Sequence, residues 1–284
     1  MNFKRTIYLC LALVFTYSAN AQIKMPPPSP TFELSGTVGL STVKVVYSRP
    51  SAKGRTVFGD LVPFDEVWRT GANASTKITF GGDVKIEGNS VPAGEYALYS
   101  IPGEEESTII ISKNLSWWGS MGYDAKDDLV RFKVPTKHPS SMYESFTMSF
   151  SDFTSESAML NMKWEHTKMA FTIISEVDKY VMADIKAQLI DATPSNAGVY
   201  YQAAGYYYDH NVDDEMALDW ATKAVEGSGE NKKYWEVHLT AKILARLGKK
   251  SDAIAAAQES MKLAKAGENP DYVRLNEKLI DSLN

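Results

Sequence analysis

Hydrophobic and polar residues alternate with a period of two from Thr31 to about Val177, and glycine and proline residues interrupt the alternation at short intervals. Such segments are typical of antiparallel strands that have one buried and one solvent-facing side. No segment with a helical period separates them, which indicates an antiparallel β-sandwich or jelly-roll-like domain over residues 31–178. We predict roughly nine or ten strands, among them Thr42–Ser48, Ile78–Phe80, Val84–Ile86, Tyr96–Ile101, Thr108–Ser112, Leu129–Val134, Ser145–Phe150, Ala158–Trp164 and Met169–Ser175.

The period changes to 3.6 near Glu176, which predicts a second, all-helical domain over residues 179–284. A first helix is expected to end before Pro194, and two helix pairs follow, the second beginning about 36 residues after the first. Small residues at regular positions in these pairs resemble those that let helices approach closely in tetratricopeptide repeats. A last helix, Tyr272–Leu283, is expected to cap the stack. The predicted fold class is therefore α+β in two domains, a β-sandwich followed by a tetratricopeptide-like unit.

The first 21 residues have the three parts of a secretory signal peptide. Lys4 and Arg5 supply positive charge, Ile7 to Phe15 form an apolar run, and the chain then reaches a small-x-small cleavage pattern that ends at Ala21. The apolar run is shorter than the ~20 residues that a membrane-spanning helix needs. We therefore expect cleavage near Ala21, a periplasmic or secreted protein, and no stable membrane span.

Composition and charge exclude several classes of protein. The chain has 284 residues, of which 44% are hydrophobic and 23% charged, as in ordinary globular proteins. Its net charge is −5, which does not favour binding to nucleic acid. Cleavage after Ala21 would change that charge to −7 and would remove Cys10, the one cysteine. The mature chain would then begin with an extended, proline-rich lead-in over residues 22–30.

A locally basic segment stands out within this acidic protein. No acidic residue lies between Glu33 and Asp60, whereas four basic residues do, and Arg69 follows. Backbone amides and arginine side chains on such loops suit an anionic or carboxylate-bearing group. In one interpretation the segment forms a pocket, where Arg49, Arg55 and Arg69 clamp the anion, Asn73 orients it, and Trp68 or Trp118 stacks on it.

A second interpretation makes the same segment a structural cover for the sandwich. The arginines would then form ion pairs with nearby acids, and apolar side chains would seal the core. The acids in question are Asp60, Asp65 and Glu66, and the apolar residues are Phe58, Leu61, Val67 and Trp68. Both interpretations remain open at the level of sequence.

The string SRPxxKGRxxFGxLVPxxxVWRTGAN, which begins at Ser48, resembles a motif of the DUF2911 family. Gly94-Glu-Tyr96, Trp117-Trp118-Gly119 and Leu160-Asn-Met-Lys-Trp164-Glu165 add to the resemblance, which covers about residues 30–175. The family consists of exported bacterial proteins, common in Bacteroidetes, and often carries a helical repeat segment behind this domain. The resemblance implies no particular activity.

Other residues add one candidate feature and exclude some chemistry. Trp117 and Trp118 in a glycine-flanked loop are a candidate platform for stacking on a sugar, with packing at the sandwich edge as the alternative. The four histidines lack the spacing of a zinc site, so we expect no metal and no cofactor. The full set of candidate ligand-binding residues is Arg49, Lys53, Arg55, Trp68, Arg69, Asn73, Trp117 and Trp118.

The favoured function is non-enzymatic binding of a glycan or another anionic small molecule in the β-domain, with a protein or peptide partner on the helical repeats. One alternative is a hydrolase of cell-envelope material or polysaccharide, for which Asp60, Asp65, Glu66 and Asp124 are the acids near the motif. Another alternative is an assembly scaffold with no small-molecule ligand. The catalytic residues of any such hydrolase cannot be assigned from the sequence.

Overall fold

The structure is a computed structural model that describes residues 25–194 and 196–284. The predicted signal peptide, the cleavage point at Ala21 and Cys10 lie outside the described residues, as does the start of the proline-rich lead-in. The chain forms two compact units, of which the first ends at Glu176 and the second begins at Val177. Within the described residues, every helix is too short or too polar to cross a bilayer.

The first unit consists of two antiparallel sheets, which confirms the predicted fold class. One sheet has the strand order β1-β2-β3-β6-β7-β8 and the other has the order β5-β4-β11-β10-β9. The strands are β1 (Thr31–Val38), β2 (Ser41–Ser48), β3 (Thr76–Phe80), β4 (Val84–Ile86), β5 (Asn89–Val91), β6 (Gly94–Ile101), β7 (Glu106–Ser112), β8 (Asp128–Pro135), β9 (Tyr143–Ser151), β10 (Ser157–Glu165) and β11 (Thr167–Ser175). Every strand segment predicted by name lies within one of these strands.

The core lies between the two sheets because alternate side chains of each sheet point inward. Ile78 and Leu98 of the first sheet are fully buried together with Leu160 of the second. The rings of Phe132 in β8 and Phe171 in β11 meet edge to face, with their centroids 5.4 Å apart. Each large apolar side chain buried in this way contributes about 1.5–3 kcal/mol. The period-two pattern therefore determines both the strands and the inner faces that hold the sheets together.

The strand β6 is buried on both faces, unlike a strand with one solvent-facing side. Tyr96 and Leu98 point into the core between the sheets, whereas Ala97 and Tyr99 point outward and are also buried. The outward residues pack under two connections: residues 49–75, which we call the covering segment, and residues 113–124, which we call the tryptophan loop. These two connections supply most of the residues of the candidate site.

The second unit is helical throughout most of its length. Its helices are α1 (Val177–Ile185), α2 (Gly198–Asp209), α3 (Asp214–Gly227), α4 (Tyr234–Arg246), α5 (Lys250–Ala266) and α6 (Pro270–Leu283), and a π-helical turn (Lys186–Ile190) follows α1. The helices α2 and α3 begin at residues 198 and 214, and α4 and α5 begin at 234 and 250, so the pair recurs after 36 residues. The predicted interval between the pairs is therefore observed.

Small buried residues let these helices pack closely. Ala204, Ala217, Ala241 and Ala257 are fully buried, each in a different helix from α2 to α5. An alanine at such positions brings the helix backbones together, where a larger side chain would separate them. The tetratricopeptide label itself remains a prediction.

A polar network lies between α4, α5 and α6. The side-chain amide nitrogen of Asn276, a fully buried residue, donates to Ser260 Oγ at 2.9 Å and to the Tyr272 carbonyl at 2.7 Å. Its amide oxygen therefore accepts from His238 Nδ1, which lies 2.8 Å away. Burial lowers the pKa of His238 below its ordinary value, and the charge of Lys242 acts in the same direction.

This depressed pKa makes the stability of the helical unit depend on pH. The pKa of His238 is about 6.5 in the unfolded chain and lower in the folded chain, so the unfolded state binds the proton first as the pH falls. The free energy of unfolding is therefore highest above about pH 6.5 and decreases as the pH drops below it. We expect His238→Gln to flatten this decline between about pH 7 and about pH 5. Urea unfolding of the full chain, followed by the helical circular dichroism signal, measures it. An equally steep decline in the variant would contradict the assignment to His238.

Candidate functional site

A polar cavity of about 490 Å³ lies between the covering segment and the tryptophan loop. Cavities of this volume are typical of small-molecule sites. Its lining residues all belong to the β unit: Ser29, Pro50, Arg55, Leu61, Val62, Pro63, Glu66, Val67, Trp68, Arg69, Gly71, Ala72, Asn73, Trp118, Ser120 and Trp164. The predicted site residues Arg55, Trp68, Arg69, Asn73 and Trp118 are thus brought together around one cavity.

Trp68 forms the floor of the cavity and is only 7% exposed. Its backbone pairs with Ser100 of β6 through two hydrogen bonds of 2.7 and 3.0 Å, and its indole Nε1 donates to the Gly71 carbonyl at 3.0 Å. The indole ring stacks on Trp164 with centroids 5.9 Å apart and meets the edges of Phe58 and Phe146. Most of this ring is therefore buried in the core, and only a small part of the residue is exposed at the cavity.

Arg69 is held at the wall of the cavity by main-chain groups. Its Nη1 donates to the Asn73 carbonyl at 2.8 Å. The guanidinium also lies against Gly119, where an added Cβ would come within 2.7 Å of Nη1. Gly119 has a φ of +76°, a left-handed conformation that favours glycine. The Tyr99 hydroxyl donates to the Gly119 carbonyl at 3.2 Å, which anchors the tryptophan loop to β6 beside Arg69.

Tyr99 carries a raised pKa at this anchor. Burial raises the pKa of the Tyr99 hydroxyl above its ordinary value, against the opposing effects of its hydrogen bond with Ser75 and the charge of Arg69. The hydroxyl is therefore protonated at neutral pH and available to donate to the Gly119 carbonyl. The Tyr99 side chain therefore carries no negative charge that would neutralise the guanidinium group of Arg69.

Arg55 is also held by main-chain carbonyls. Its Nε donates to Ala52 and its Nη2 to Ser51, each at 2.8 Å. Within the described residues, neither Arg55 nor Arg69 has a carboxylate oxygen within the 4.0 Å that defines an ion pair. The ion pairs with Asp60, Asp65 and Glu66 that belong to the second interpretation are therefore not observed for Arg55 and Arg69 within the described residues.

Three further side chains face the same space. Trp118 is 65% exposed and lines the cavity. Asn73 donates to Ser48 Oγ at 3.2 Å, so its amide ties the end of the covering segment to β2 while it lines the cavity. Glu66, an acidic residue, also lines the cavity. The cavity thus combines cationic, anionic, amide and aromatic groups.

The structure separates Arg49 and Lys53 from this cavity. Arg49 donates from Nε to the Phe146 carbonyl at 3.0 Å and from Nη2 to Thr147 Oγ1 at 2.7 Å, and its guanidinium lies over the Phe32 ring. Arg49 therefore joins β2 to β9 and lines a smaller cavity of about 270 Å³. Lys53 is exposed and its backbone N–H, rather than its ammonium group, donates to Glu144. Of the three arginines predicted to clamp an anion, Arg55 and Arg69 line this cavity and Arg49 does not.

Trp117 also turns away from the cavity. Its ring packs edge to face against Tyr99 and Tyr123, with centroids 6.1 and 5.5 Å apart, over the outer face of β6. The alternative that this tryptophan packs at the sandwich edge is thus the observed arrangement, whereas Trp118, the next residue, is exposed. The pair therefore consists of one exposed indole, Trp118, and one partly buried indole, Trp117, which packs the loop against β6.

Trp164 and Glu66 are the main cavity residues that the sequence did not assign to ligand binding. Trp164 lies on β10, far from the covering segment along the chain, and reaches the cavity floor by stacking on Trp68. The sequence signal for Trp164 is its place in Leu160-Asn-Met-Lys-Trp164-Glu165, a segment that contributes to the family resemblance. Glu66 appeared in the sequence as an acid next to the basic segment, without an indication of the direction of its side chain.

The covering segment both seals the core and lines the cavity. Val57, Phe58 and Val62 are buried in the core between the sheets. Arg55 and Arg69, from the same segment, line the cavity. The two interpretations of this segment are therefore compatible, because alternate parts of it face inward and outward.

A comparison with known protein families supports one assignment. The family model described as "Protein of unknown function (DUF2911)" matches residues 29–173, just over half of the chain. Neither the curated proteins nor the solved structures gave a match. All residues that line the cavity fall within the matched range, whereas the helical unit lies outside it. The chain belongs to the DUF2911 family.

Proposed function

We propose that the β unit is a non-enzymatic binding module that holds an anionic glycan, or another anionic ligand of similar size, in the cavity between the covering segment and the tryptophan loop. The observation that carries this proposal is the pair of arginines in one cavity without ion-pair partners among the described residues. A guanidinium group presents five N–H donors in a planar fork that matches carboxylate and phosphate oxygens.

The hydrogen bonds of the two arginines orient them and leave donors available. Arg55 uses Nε and Nη2 on main-chain carbonyls, and Arg69 uses Nη1. Bonds to neutral carbonyls fix each side chain without cancelling its charge, and hydrogen bonds to charged groups contribute about 1.5–3 kcal/mol each. A ligand carboxylate or phosphate would supply the missing negative charge.

Trp118 supports a carbohydrate over a simple anion. An exposed indole face gathers the C–H groups of a pyranose ring, and Asn73 and Ser120 on the same cavity wall can exchange hydrogen bonds with its hydroxyl groups. Pairing of an aromatic face with several polar groups at the wall of a cavity is typical of small-molecule sites. An acidic sugar meets both the aromatic and the cationic requirements.

The distribution of acids favours binding over glycoside hydrolysis. A glycosidase requires two carboxyl groups about 5–10 Å apart on either side of the scissile bond. Of the four acids near the motif, Glu66 lines the cavity, whereas Asp60, Asp65 and Asp124 are not among its described lining residues. A single carboxylate beside two arginines suits recognition better than hydrolysis by a carboxylate pair.

The remaining parts of the chain fit this proposal without deciding it. The predicted signal peptide would place the module in the periplasm or outside the cell, where glycans of the envelope or the medium are accessible. The helical unit would hold a protein or peptide partner, since stacked helix pairs present extended surfaces. A scaffold role alone would leave the unpaired arginines of the cavity unexplained.

Substitution of the two arginines tests the proposal. We expect Arg55→Ala and Arg69→Ala each to weaken binding of an acidic glycan at least about tenfold, since each removes charge-assisted hydrogen bonds. An array of acidic and neutral glycans and peptidoglycan fragments, probed with the mature chain, identifies the ligand, and calorimetry then measures affinity. Lys53→Gln is the matched control, because it removes a positive charge from the same segment outside the cavity. Equal binding by wild type and both arginine variants would overturn the proposal.

A further inference from the structure

Glu66 is a carboxylate in a cavity that otherwise selects for negative charge. It shares the wall with Arg55 and Arg69 and forms no ion pair with them within the described residues. An acid in this place weakens the attraction for a simple anion, so it is unfavourable unless it recognises a different part of the ligand. The presence of Glu66 therefore indicates that the ligand has a second recognised feature besides its negative charge.

The backbone on both sides of Glu66 is fixed. The preceding residue, Asp65, donates its N–H to the Pro102 carbonyl at 2.8 Å, and Trp68, two residues later, pairs with Ser100 through two hydrogen bonds. Val67 packs on the outer face of β6. The residues on both sides of Glu66 are thus anchored to the end of β6, so the backbone position of this exposed lining residue is fixed.

We propose that Glu66 is a specificity-determining residue that restricts the cavity to sugars with a single carboxylate, such as hexuronates, and rejects sulfated or phosphorylated glycans of higher charge density. This inference rests on the proposed function. Two guanidinium groups and one carboxylate leave a net charge of +1 at the wall, which one uronate group balances. A second anionic group on the ligand would meet the Glu66 carboxylate and be repelled.

The carboxylate of Glu66 also has an attractive role. Ionised carboxylates accept hydrogen bonds and cannot donate them, whereas the arginines donate and cannot accept. A hexuronate presents both complements, since its carboxylate accepts from the arginines and its ring hydroxyls donate to Glu66. A polysulfated or phosphorylated sugar has fewer free hydroxyl groups to donate to Glu66 and more negative charge to be repelled by it, so it should bind more weakly.

The test compares Glu66→Gln with wild type on glycans of different charge. Hexuronate-containing oligosaccharides and sulfated or phosphorylated counterparts of the same length serve as probes at one fixed ionic strength, because salt screens exposed charges. We expect wild type to prefer the hexuronates, and the variant to bind the sulfated or phosphorylated glycans at least about tenfold more tightly than wild type does. The hexuronates should gain much less.

Asp65→Asn provides a matched control. It removes the same charge at the neighbouring position, which is not among the described lining residues. Asp65 has a φ of +61°, a conformation that asparagine adopts readily, so the substitution does not strain the backbone. We expect its glycan preference to equal that of wild type.

Three results distinguish this inference from the proposed function. A shift in preference with Glu66→Gln and not with Asp65→Asn supports the specificity role. An unchanged preference in Glu66→Gln, or an equal shift in both variants, overturns the role of Glu66 and leaves the arginine-based binding intact. Absence of binding to any acidic glycan by wild type overturns the proposed function and this inference with it.

Discussion

Replacing Trp68 with alanine is expected to destabilise the β unit by about 3–5 kcal/mol, as for other large aromatic residues removed from a core. The ring is 7% exposed, stacks on Trp164 and meets Phe58 and Phe146 edge to face. The substitution would remove these contacts together and leave the Gly71 carbonyl without its indole donor. The free energy of unfolding of a typical protein is only about 5–15 kcal/mol, so a loss of this size would unfold a large part of the population of the β unit.

Trp118→Ala is the matched control for this prediction. Trp118 belongs to the same residue type and lines the same cavity, but it is 65% exposed. Its loss should change the free energy of unfolding by less than about 0.5 kcal/mol. Hydrogen exchange of strand amides in the full chain measures both variants, because it reports on the β unit separately from the helices. Similar protection in the Trp68 and Trp118 variants would contradict the assignment of Trp68 to the core.

Gly103→Ala is expected to destabilise the β unit by about 2–3 kcal/mol, through overpacking of the turn between β6 and β7. An added Cβ would clash with the Glu106 carbonyl oxygen, which is a main-chain atom and cannot move aside like a flexible side chain. The turn would have to open, which disturbs the bond from the Gly103 N–H to Ser107 Oγ. It would also disturb the neighbouring Pro102 carbonyl that holds Asp65 of the covering segment.

Gly82→Ala tests whether this effect comes from the close contact. Gly82 lies in the turn between β3 and β4, where an added Cβ would meet Ser41 at 3.7 Å, an ordinary van der Waals distance. We expect a change below about 1 kcal/mol for this variant. Thermal unfolding of the two variants, compared with wild type, provides the measurement. If both alanines prove equally harmless, the close approach of Glu106 does not make the turn depend on glycine at position 103.

These expected effects distinguish residues that stabilise the fold around the cavity from residues that are proposed to contact the ligand. Trp68 and Gly103 stabilise the floor and the anchoring turn, so their substitution is expected to reduce binding only through the fold. Arg55, Glu66 and Trp118 contribute little to the core and are expected to change binding with little effect on stability. Measuring stability and binding on the same variants therefore distinguishes a ligand-binding cavity from a structural cover.

Much of the β unit could be predicted from local sequence because its strands alternate clearly. Thr42–Ser48 and Ala158–Trp164, for example, lie within β2 and β10. The eight-residue β1 and the three-residue β5 were not predicted by name, whereas β4, also three residues long, was. In β4, Val84 and Ile86 alternate with Lys85, while β5 offers one apolar residue, Val91, and is defined by its pairing with β4.

The candidate site was predictable in part, and the failures have a common cause. The basic residues and loop-forming glycines and prolines of the covering segment predicted a binding site there, and the segment does line the cavity. Arg49 nevertheless points to β9, and Trp117 points to the outer face of β6, although each is adjacent in sequence or motif to residues that line the cavity. In irregular connections no period relates position to direction, so the side on which each residue lies depends on distant partners.

The sequence by itself determined two domains of different periodicity, the antiparallel class of the first, the helix pairs of the second and the region in which to look for a ligand. The physical reason is that strands and amphipathic helices carry their burial pattern locally. Only the tertiary structure decided that Trp68 is a core residue, that Trp164 joins it from β10, and that Arg55 and Arg69 lack carboxylate partners among the described residues. Those outcomes depend on contacts between segments far apart in the chain, which local pattern does not encode.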